Sequence, residues 1–241
     1  MRLGLIHINM GPMSRPGDLV QAARAAEQAG FDSVWAGEHL VLPDPQVPPS
    51  PMVPQDPVLD SLLALTWAAA HTATIRLATG IVILPQRNPV LLAKQVATLD
   101  VLSGGRVMLG VGAGYLEPEF RAVGANFAER GAVTDEYLDA LRALWYDEHP
   151  EFRGRFAGFG GIDAQAAESL AGLAAAAGQV RRPAELGELE ISVTPRGRMT
   201  AERAAEFAAI GVHRLVLLAP PDPDGAARTI EAGTAAAAGL P

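Results

Sequence analysis

DSVWAGEH, at residues 32–39, is an apolar segment that ends in polar residues, and two later stretches repeat this pattern. They are IRLATGIVILPQRNP at residues 75–89 and LDVLSGGRVMLGVGAGY at residues 99–115. Helical periodicity separates the stretches, so strands and helices alternate along the chain. That alternation predicts an α/β protein with a parallel sheet, in which the loops at the strand ends carry the functional residues.

The predicted elements follow from apolar spacing, caps and turn residues. The predicted strands are residues 3–8, 33–36, 75–84, 106–111, 189–193 and 213–218. The predicted helices are residues 18–30, 58–72, 89–102, 134–145, 166–177, 201–210 and 226–238. Residues 40–57 are rich in proline, which lacks a backbone N–H, so we predict a long loop there that could cover a pocket.

Length and composition indicate one domain over residues 1–241, soluble and without a membrane partner. The chain is 49% hydrophobic and 19% charged, and no apolar run approaches the ~20 residues of a membrane span. The formal net charge of −8 argues against a nucleic-acid partner. The chain contains no cysteine and starts with a strand rather than a secretion signal, so we predict a cytoplasmic location.

Two histidines stand at predicted strand ends, where side chains of a βα barrel face the mouth of the barrel. His39 ends the second strand segment, and its imidazole could orient a ligand or move a proton near neutral pH. His7 ends the first strand and either lines a pocket or packs in the core. No spacing of histidines and carboxylates is typical of a metal site, so we predict no catalytic metal.

Glycines interrupt two of the predicted strands. Gly80, between Thr79 and Ile81, marks either a bulge or a close approach of the backbone to a ligand. GVGAGY at residues 110–115 is glycine-rich, but a dinucleotide fingerprint would need a further glycine where Tyr115 or Glu117 stands. The spacing therefore excludes a Rossmann site.

With these motifs the sequence resembles the luciferase-like monooxygenase superfamily, and most closely its branch of F420-dependent oxidoreductases. The resemblance rests on DSVWAGEH, on the strand around Gly80 and on GVGAGY, and it covers residues 1–150 closely and 185–220 more loosely. It implies a TIM-type (β/α) barrel, an oxidoreductase activity and the deazaflavin F420 as cofactor.

The resemblance also implies roles for residues. His39 would be catalytic, by orienting the cofactor ring or relaying a proton, and a cis peptide between Gly80 and Ile81 would back the ring. In the sugar-phosphate dehydrogenases of the family an acid stands where Ala113 is here, so the resemblance argues against a sugar-phosphate substrate. The implied cofactor-binding residues are His7, His39, Thr79, Gly80, Ile81, Gly112, Ala113, Gly114 and Tyr115.

The resemblance is incomplete after residue 156. About two βα units, on the order of 50 residues including a phosphate loop, are missing from the eightfold barrel pattern. A naturally short barrel, a chain from which the segment was removed and a barrel completed by a partner subunit all fit this gap. Because an uncovered parallel edge favours association, we predict a homodimer.

The predicted function is hydride transfer between F420 and a small organic substrate, in which the cofactor carries the redox chemistry. Two alternatives stay open. The first is an FMN-dependent monooxygenase of the same superfamily. The second is a non-catalytic, flavin-binding or vestigial barrel, which the missing segment suggests.

Overall fold

The computed structural model describes residues 1–161, 192–195, 199–210, 212–220 and 224–238 as an α/β fold. The predicted helix at residues 166–177 lies outside these residues. Contacts within the chain divide it into two compact units, which are described separately below. None of the described helices is long and apolar enough to span a membrane.

The described strands and helices alternate along most of the chain. The strands are β1 (Arg2–Ile6), β2 (Ser33–Ala36), β3 (Arg76–Thr79), β4 (Val82–Ile83), β5 (Val107–Met108), β6 (Val111–Gly112), β7 (Phe152–Arg153), β8 (Gly158–Phe159), β9 (Ser192–Val193) and β10 (Arg214–Leu218). The helices are α1 (Pro16–Gln28), α2 (Ser61–Ala69), α3 (Pro89–Ser103), α4 (Glu117–Ala122), α5 (Arg130–Tyr146), α6 (Ala201–Ala209) and α7 (Gly225–Ala237).

Unit 1 comprises residues 1–38, 57–80 and the described residues from 192 onward. Its strands are parallel and stand in the order β3-β2-β1-β10-β9, an open half-barrel sheet. Helices α1, α2 and α7 pack on this sheet and on one another. Its fully buried core includes Leu5, Val34, Leu77 and Leu215, one from each of β1, β2, β3 and β10. The prediction of an α/β fold with an incomplete barrel is confirmed.

Unit 2 comprises residues 39–56 and the described residues from 81 to 161. Helices α3 and α5 pack together, β4 pairs in parallel with β6, and β7 forms a hairpin with β8. The Asn88 side chain caps α3 by accepting hydrogen bonds from the N–H groups of Val90 and Leu91. Residues 40–56 contain no helix or strand, so the predicted proline-rich loop is confirmed.

Two predicted strands are wrong in their continuity. The strand predicted at residues 75–84 is split into β3 and β4, and the one at residues 106–111 is split into β5 and β6. The break between β3 and β4 occurs where the backbone changes its hydrogen-bond partner. The Gly80 N–H donates to the Ala36 carbonyl, whereas the Val82 N–H donates to the Gly110 carbonyl. Apolar sequence alone gives no sign of such a change.

Short elements were missed. Helix α4 has six residues, too few for a helical period to emerge from the sequence. The hairpin of β7 and β8 depends on a distant group, since the Glu136 carboxylate accepts hydrogen bonds from the N–H groups of Arg155, Phe156 and Ala157.

A buried ion pair in unit 1 joins Asp32, which directly precedes β2, to Arg214, the first residue of β10. Arg214 is only 3% exposed, its Nε donates a hydrogen bond to Oδ2 of Asp32 at 2.9 Å, and its Nη2 lies 2.8 Å from the same oxygen. We expect Asp32→Ala to lower the free energy of unfolding by about 3 kcal/mol, because it removes a carboxylate that lies against a buried cation. Urea denaturation measures this loss.

The control is Asp139→Ala, which removes an exposed ion pair with Arg142 one turn away on α5. Such surface pairs contribute about 0.5 kcal/mol or less, so the control should unfold like wild type. Equal losses for the two variants would contradict the role of burial.

Glu27, near the end of α1, accepts hydrogen bonds from the N–H groups of Ala73, Thr74 and Ile75 at 2.9, 2.6 and 2.9 Å. Desolvation by burial raises the pKa of Glu27, but the three N–H donors and the Thr74 hydroxyl outweigh it and hold that pKa below its usual value. The stability from Glu27 is therefore complete above its unfolded pKa and is lost as pH falls through the lower folded pKa.

We expect Glu27→Gln to lower the free energy of unfolding by roughly 1 kcal/mol at neutral pH. The difference from wild type should shrink as the pH falls below about 4, because the wild-type carboxylate is then protonated. Urea unfolding at several pH values measures both effects. Exposed Glu148→Gln serves as control, and a difference that grows toward acid pH would contradict the assignment.

Gly114 has a left-handed backbone with φ of 78°, and a Cβ there would lie 2.7 Å from Ile83 Cγ2 and 2.8 Å from Phe120 Cε2. Both strain and overpacking follow from Gly114→Ala, so we expect thermal unfolding to show a loss of about 2 kcal/mol or more. Gly131→Ala is the matched control, because that glycine lies in α5 with open space around it. The control should be neutral or up to about 1 kcal/mol more stable.

Candidate functional site

The candidate site lies in unit 2, where β6 passes through a glycine-rich turn into α4. Pairing of β4 with β6 sets Val82 opposite Val111 and Ile83 opposite Gly112, which fixes the start of the turn. A Cβ on Gly112 would lie 2.9 Å from Cδ1 of Ile81, so a larger residue there would require this exposed isoleucine side chain to move. The turn thus has an apolar side chain on one flank.

Helix α4 carries a buried acid. Its first turn contains Pro118, and its packing buries Leu116 and Phe120 almost completely. Glu119 lies on the same face and is 0% exposed. Its Oε1 accepts a hydrogen bond from the Leu40 N–H at 2.5 Å, and its Oε2 lies 3.3 Å from Nδ1 of His39. The buried carboxylate therefore has polar partners on both oxygens.

His39 connects this acid to a tyrosine. Its Nε2 lies 3.4 Å from the Tyr115 hydroxyl, and the two rings meet edge to face with centroids 6.0 Å apart. The side chain of His39 is 9% exposed, whereas Tyr115 is 44% exposed. The three residues form a hydrogen-bonded series from a buried carboxylate to an exposed phenol, here called the Glu–His–Tyr cluster.

The phenol of the cluster stays protonated at neutral pH. Desolvation by burial raises the pKa of Tyr115, and the negative charge of Glu119 raises that pKa further. A hydroxyl, an imidazole and a carboxylate in sequence can accept, pass and stabilise a proton, which is the chemistry of general acid–base catalysis. The 3.3 Å and 3.4 Å separations are at the long end of hydrogen bonds.

The structure brings together two of the residues predicted from the sequence, His39 and Tyr115. The predicted cofactor-binding residues Gly112, Ala113 and Gly114 form the turn that leads to Tyr115. Their contact with a cofactor stays a prediction.

Three other predicted residues belong to unit 1. His7 follows β1, is half-buried and has a positive φ of 67°, a conformation that is uncommon outside glycine. Thr79 is fully buried at the end of β3, in register with Ala36. Gly80 is in close packing, since a Cβ there would lie 3.1 Å from both Ile6 Cδ1 and Trp35 Cε3.

The predicted cis peptide at Gly80–Ile81 is wrong. Among the described residues the cis bonds are Asp44–Pro45 and Pro48–Pro49, and the Gly80–Ile81 bond is trans. Close packing of Gly80 against neighbouring side chains accounts for the glycine without a ligand. The exposed side chain of Ile81 remains beside the glycine-rich turn.

Glu119 was not predicted from the sequence, where the only acid considered in this turn was the one that related sugar-phosphate dehydrogenases have at the position of Ala113. A signal was present, because Leu116, Glu119 and Phe120 are spaced to share one face of a helical turn. A carboxylate on an apolar face requires polar partners nearby. Among the residues predicted for the site, His39 at its strand end could have been proposed as the polar partner of Glu119.

A cavity of about 220 Å³ also lies in unit 2, next to Leu40. The side-chain amide of Gln86, on its wall, is buried, and neither its nitrogen nor its oxygen has a hydrogen-bond partner in the described part of the chain. No group of three metal-ligating side chains is found among the described residues. The lining residues are Leu40, Gln86, Arg87, Asn88, Leu91, Leu92 and Gln95.

Sequence relatives share the N-terminal part of this chain. An uncharacterised protein of Mycobacterium tuberculosis is 39% identical over 150 residues, which cover 58% of this chain and 52% of the relative. An F420-dependent glucose-6-phosphate dehydrogenase of Kineococcus radiotolerans is 34% identical over 145 residues, covering 58% of this chain and 40% of the relative. The chain spans about half the length of the curated relatives it matches.

Solved structures share the fold at low identity. Monooxygenase RslO1 from Streptomyces bottropensis has a TM-score of 0.66 and 20% identity, over 97% of this chain and 98% of that chain. An F420-dependent secondary alcohol dehydrogenase in complex with an F420-acetone adduct has a TM-score of 0.56 and 22% identity, over 96% of this chain and 64% of that chain. The oxygenating constituent of 3,6-diketocamphane monooxygenase from Pseudomonas putida, in complex with FMN, has a TM-score of 0.56 and 24% identity, over 68% of this chain and 44% of that chain.

The sequence model of the luciferase-like monooxygenase family matches residues 3–239, nearly the whole length of this chain. The α/β half-barrel and the structural likenesses agree with that match. The protein belongs to the luciferase-like monooxygenase family.

Proposed function

We propose that this protein is an F420-dependent oxidoreductase that transfers hydride to or from a small organic substrate. The observation that carries the proposal is the Glu–His–Tyr cluster, because hydride transfer at a carbon that bears oxygen or nitrogen needs a proton acceptor or donor beside it. The choice of F420 draws on the 34% identical F420-dependent dehydrogenase.

The residues around the cluster fit a planar ring with polar edges. The exposed side chains of Ile81 and Leu40 offer apolar surface, and that of Ile81 lies against the backbone of Gly112. The unpartnered amide of Gln86 offers a donor and an acceptor at the cavity next to Leu40. Such a mixture of apolar walls and few polar groups is typical of cofactor sites.

The chain itself would bind, orient and move a proton. When bound, the deazaflavin supplies the hydride chemistry at its ring. Glu119 would hold the His39 ring in one orientation, and the glycine-rich turn would bring Tyr115 to the substrate side. The proline-rich residues 40–56 would limit access of water and select substrates.

FMN-dependent monooxygenation is the second candidate. The FMN-bound Pseudomonas putida structure has the same fold, and a proton relay would serve flavin chemistry as well. The third candidate, a non-catalytic barrel, follows from the gap after residue 156. One observation argues against this candidate: monooxygenase RslO1 and this chain match over 98% and 97% of their lengths, so a chain as short as this one is described as a monooxygenase.

We further propose a small-molecule substrate, a homodimer and a cytoplasmic location for the enzyme. The dimer follows from the sheet of unit 1, which ends at β9 in the order of the described strands. An open parallel edge is a site of association unless it is covered.

A titration of the purified protein with F420 and, separately, FMN tests the cofactor. We expect F420 at 100 times its Kd to stabilise the protein by about 2.7 kcal/mol, a rise in Tm of roughly 5–10 °C, with a change in deazaflavin absorbance. Tyr137→Phe, which alters a half-buried tyrosine of α5, should keep the full shift.

Each other outcome would reject the F420 assignment. A shift with FMN alone would establish the flavin alternative. Binding of neither cofactor would favour the non-catalytic barrel.

A further inference from the structure

Solvent exposure increases along the Glu–His–Tyr cluster from Glu119 through His39 to Tyr115. Glu119 is 0% exposed, the side chain of His39 is 9% exposed, and Tyr115 is 44% exposed. Both ring nitrogens of His39 face protein groups, with Nδ1 toward Glu119 and Nε2 toward Tyr115. A substrate outside the cluster would therefore meet the phenol first.

The hydrogen-bond directions follow from the outer end. A Tyr115 hydroxyl that donates to Nε2 would leave Nε2 with the lone pair and Nδ1 with the hydrogen. Nδ1–H would then donate to Oε2 of Glu119, whose Oε1 accepts from the Leu40 N–H. Each donor in the series has an acceptor, and the carboxylate selects this tautomer of the imidazole.

We propose that Tyr115 is the catalytic residue that exchanges a proton with the substrate, that His39 is a buried relay, and that Glu119 is the positioning residue. This inference rests on the proposed function and changes the part of the catalytic residue from His39 to Tyr115. It also gives a substrate class, namely molecules with an O–H or N–H on the carbon that loses hydride.

The proton balance is complete for an alcohol. In the oxidising direction the substrate O–H bond breaks and its proton forms an O–H bond at Tyr115, whose own proton passes to Nε2 of His39. A bound deazaflavin would accept the hydrogen on carbon with its electron pair as hydride, which would leave a carbonyl. The Glu119 carboxylate then lies beside the imidazolium of His39, and reduction reverses each step.

The first test is the tautomer of His39 in the protein without cofactor, read from the ¹⁵N shifts of its ring nitrogens. Wild type should be Nδ1–H. Glu119→Gln should reverse it to Nε2–H, because the Leu40 N–H needs the amide oxygen and the amide NH₂ then faces Nδ1. Tyr115→Phe, which keeps Glu119, should remain Nδ1–H. A wild-type Nε2–H tautomer, or no reversal in Glu119→Gln, would overturn the proposal.

The second test is turnover with F420 and a panel of small alcohols. Tyr115→Phe should lower kcat/KM by about 10²–10⁴-fold at saturating F420, and Tyr137→Phe should match wild type. Adding Glu119→Gln to Tyr115→Phe should cost little more, because the residues act as a unit. Wild-type kcat in Tyr115→Phe would overturn the role of the phenol.

The two tests separate the two proposals. A protein that binds no F420 would reject the proposed function, while the tautomers would still decide whether Glu119 positions His39. A protein that binds F420 but has the opposite tautomer would keep the proposed function and reject this inference.

Discussion

A carboxylate removed from water must find hydrogen-bond donors within the protein, and that requirement organises the site around Glu119. The donors are the Leu40 N–H and the imidazole of His39, two consecutive residues at the start of the proline-rich loop. One side chain of α4 thereby fixes both the path of the chain after His39 and the orientation of its ring. The Glu–His–Tyr cluster depends on this contact more than on any other.

The glycine-rich turn supplies the second constraint. Gly114 has a left-handed backbone and lacks room for a Cβ beside Ile83 and Phe120, and the side chain of Ile81 lies against Gly112. These packing demands, rather than a dinucleotide phosphate, explain the spacing of GVGAGY. They also carry Tyr115 to the place where its hydroxyl reaches His39.

The sequence allowed the local elements to be predicted because their signals are local. Residues 33–36 form β2 as predicted, and α3 begins after its Asn88 cap. The splitting of residues 75–84 could not be predicted, since it depends on which carbonyl each N–H meets. Within the site, His39 was predicted from a strand end and the family resemblance, and Tyr115 from the resemblance, whereas Glu119 depends on a contact across 79 positions of sequence with Leu40.

A crystal structure of this protein with F420 bound would show which side chain of the Glu–His–Tyr cluster faces the cofactor. We expect the deazaflavin ring beside Ile81 and Gly112, with the Tyr115 hydroxyl, rather than the His39 imidazole, as the ionisable group nearest the reactive carbon. A ring bound away from residues 112–119, or one touched by His39 while Tyr115 faces elsewhere, would show that the phenol does not exchange the proton.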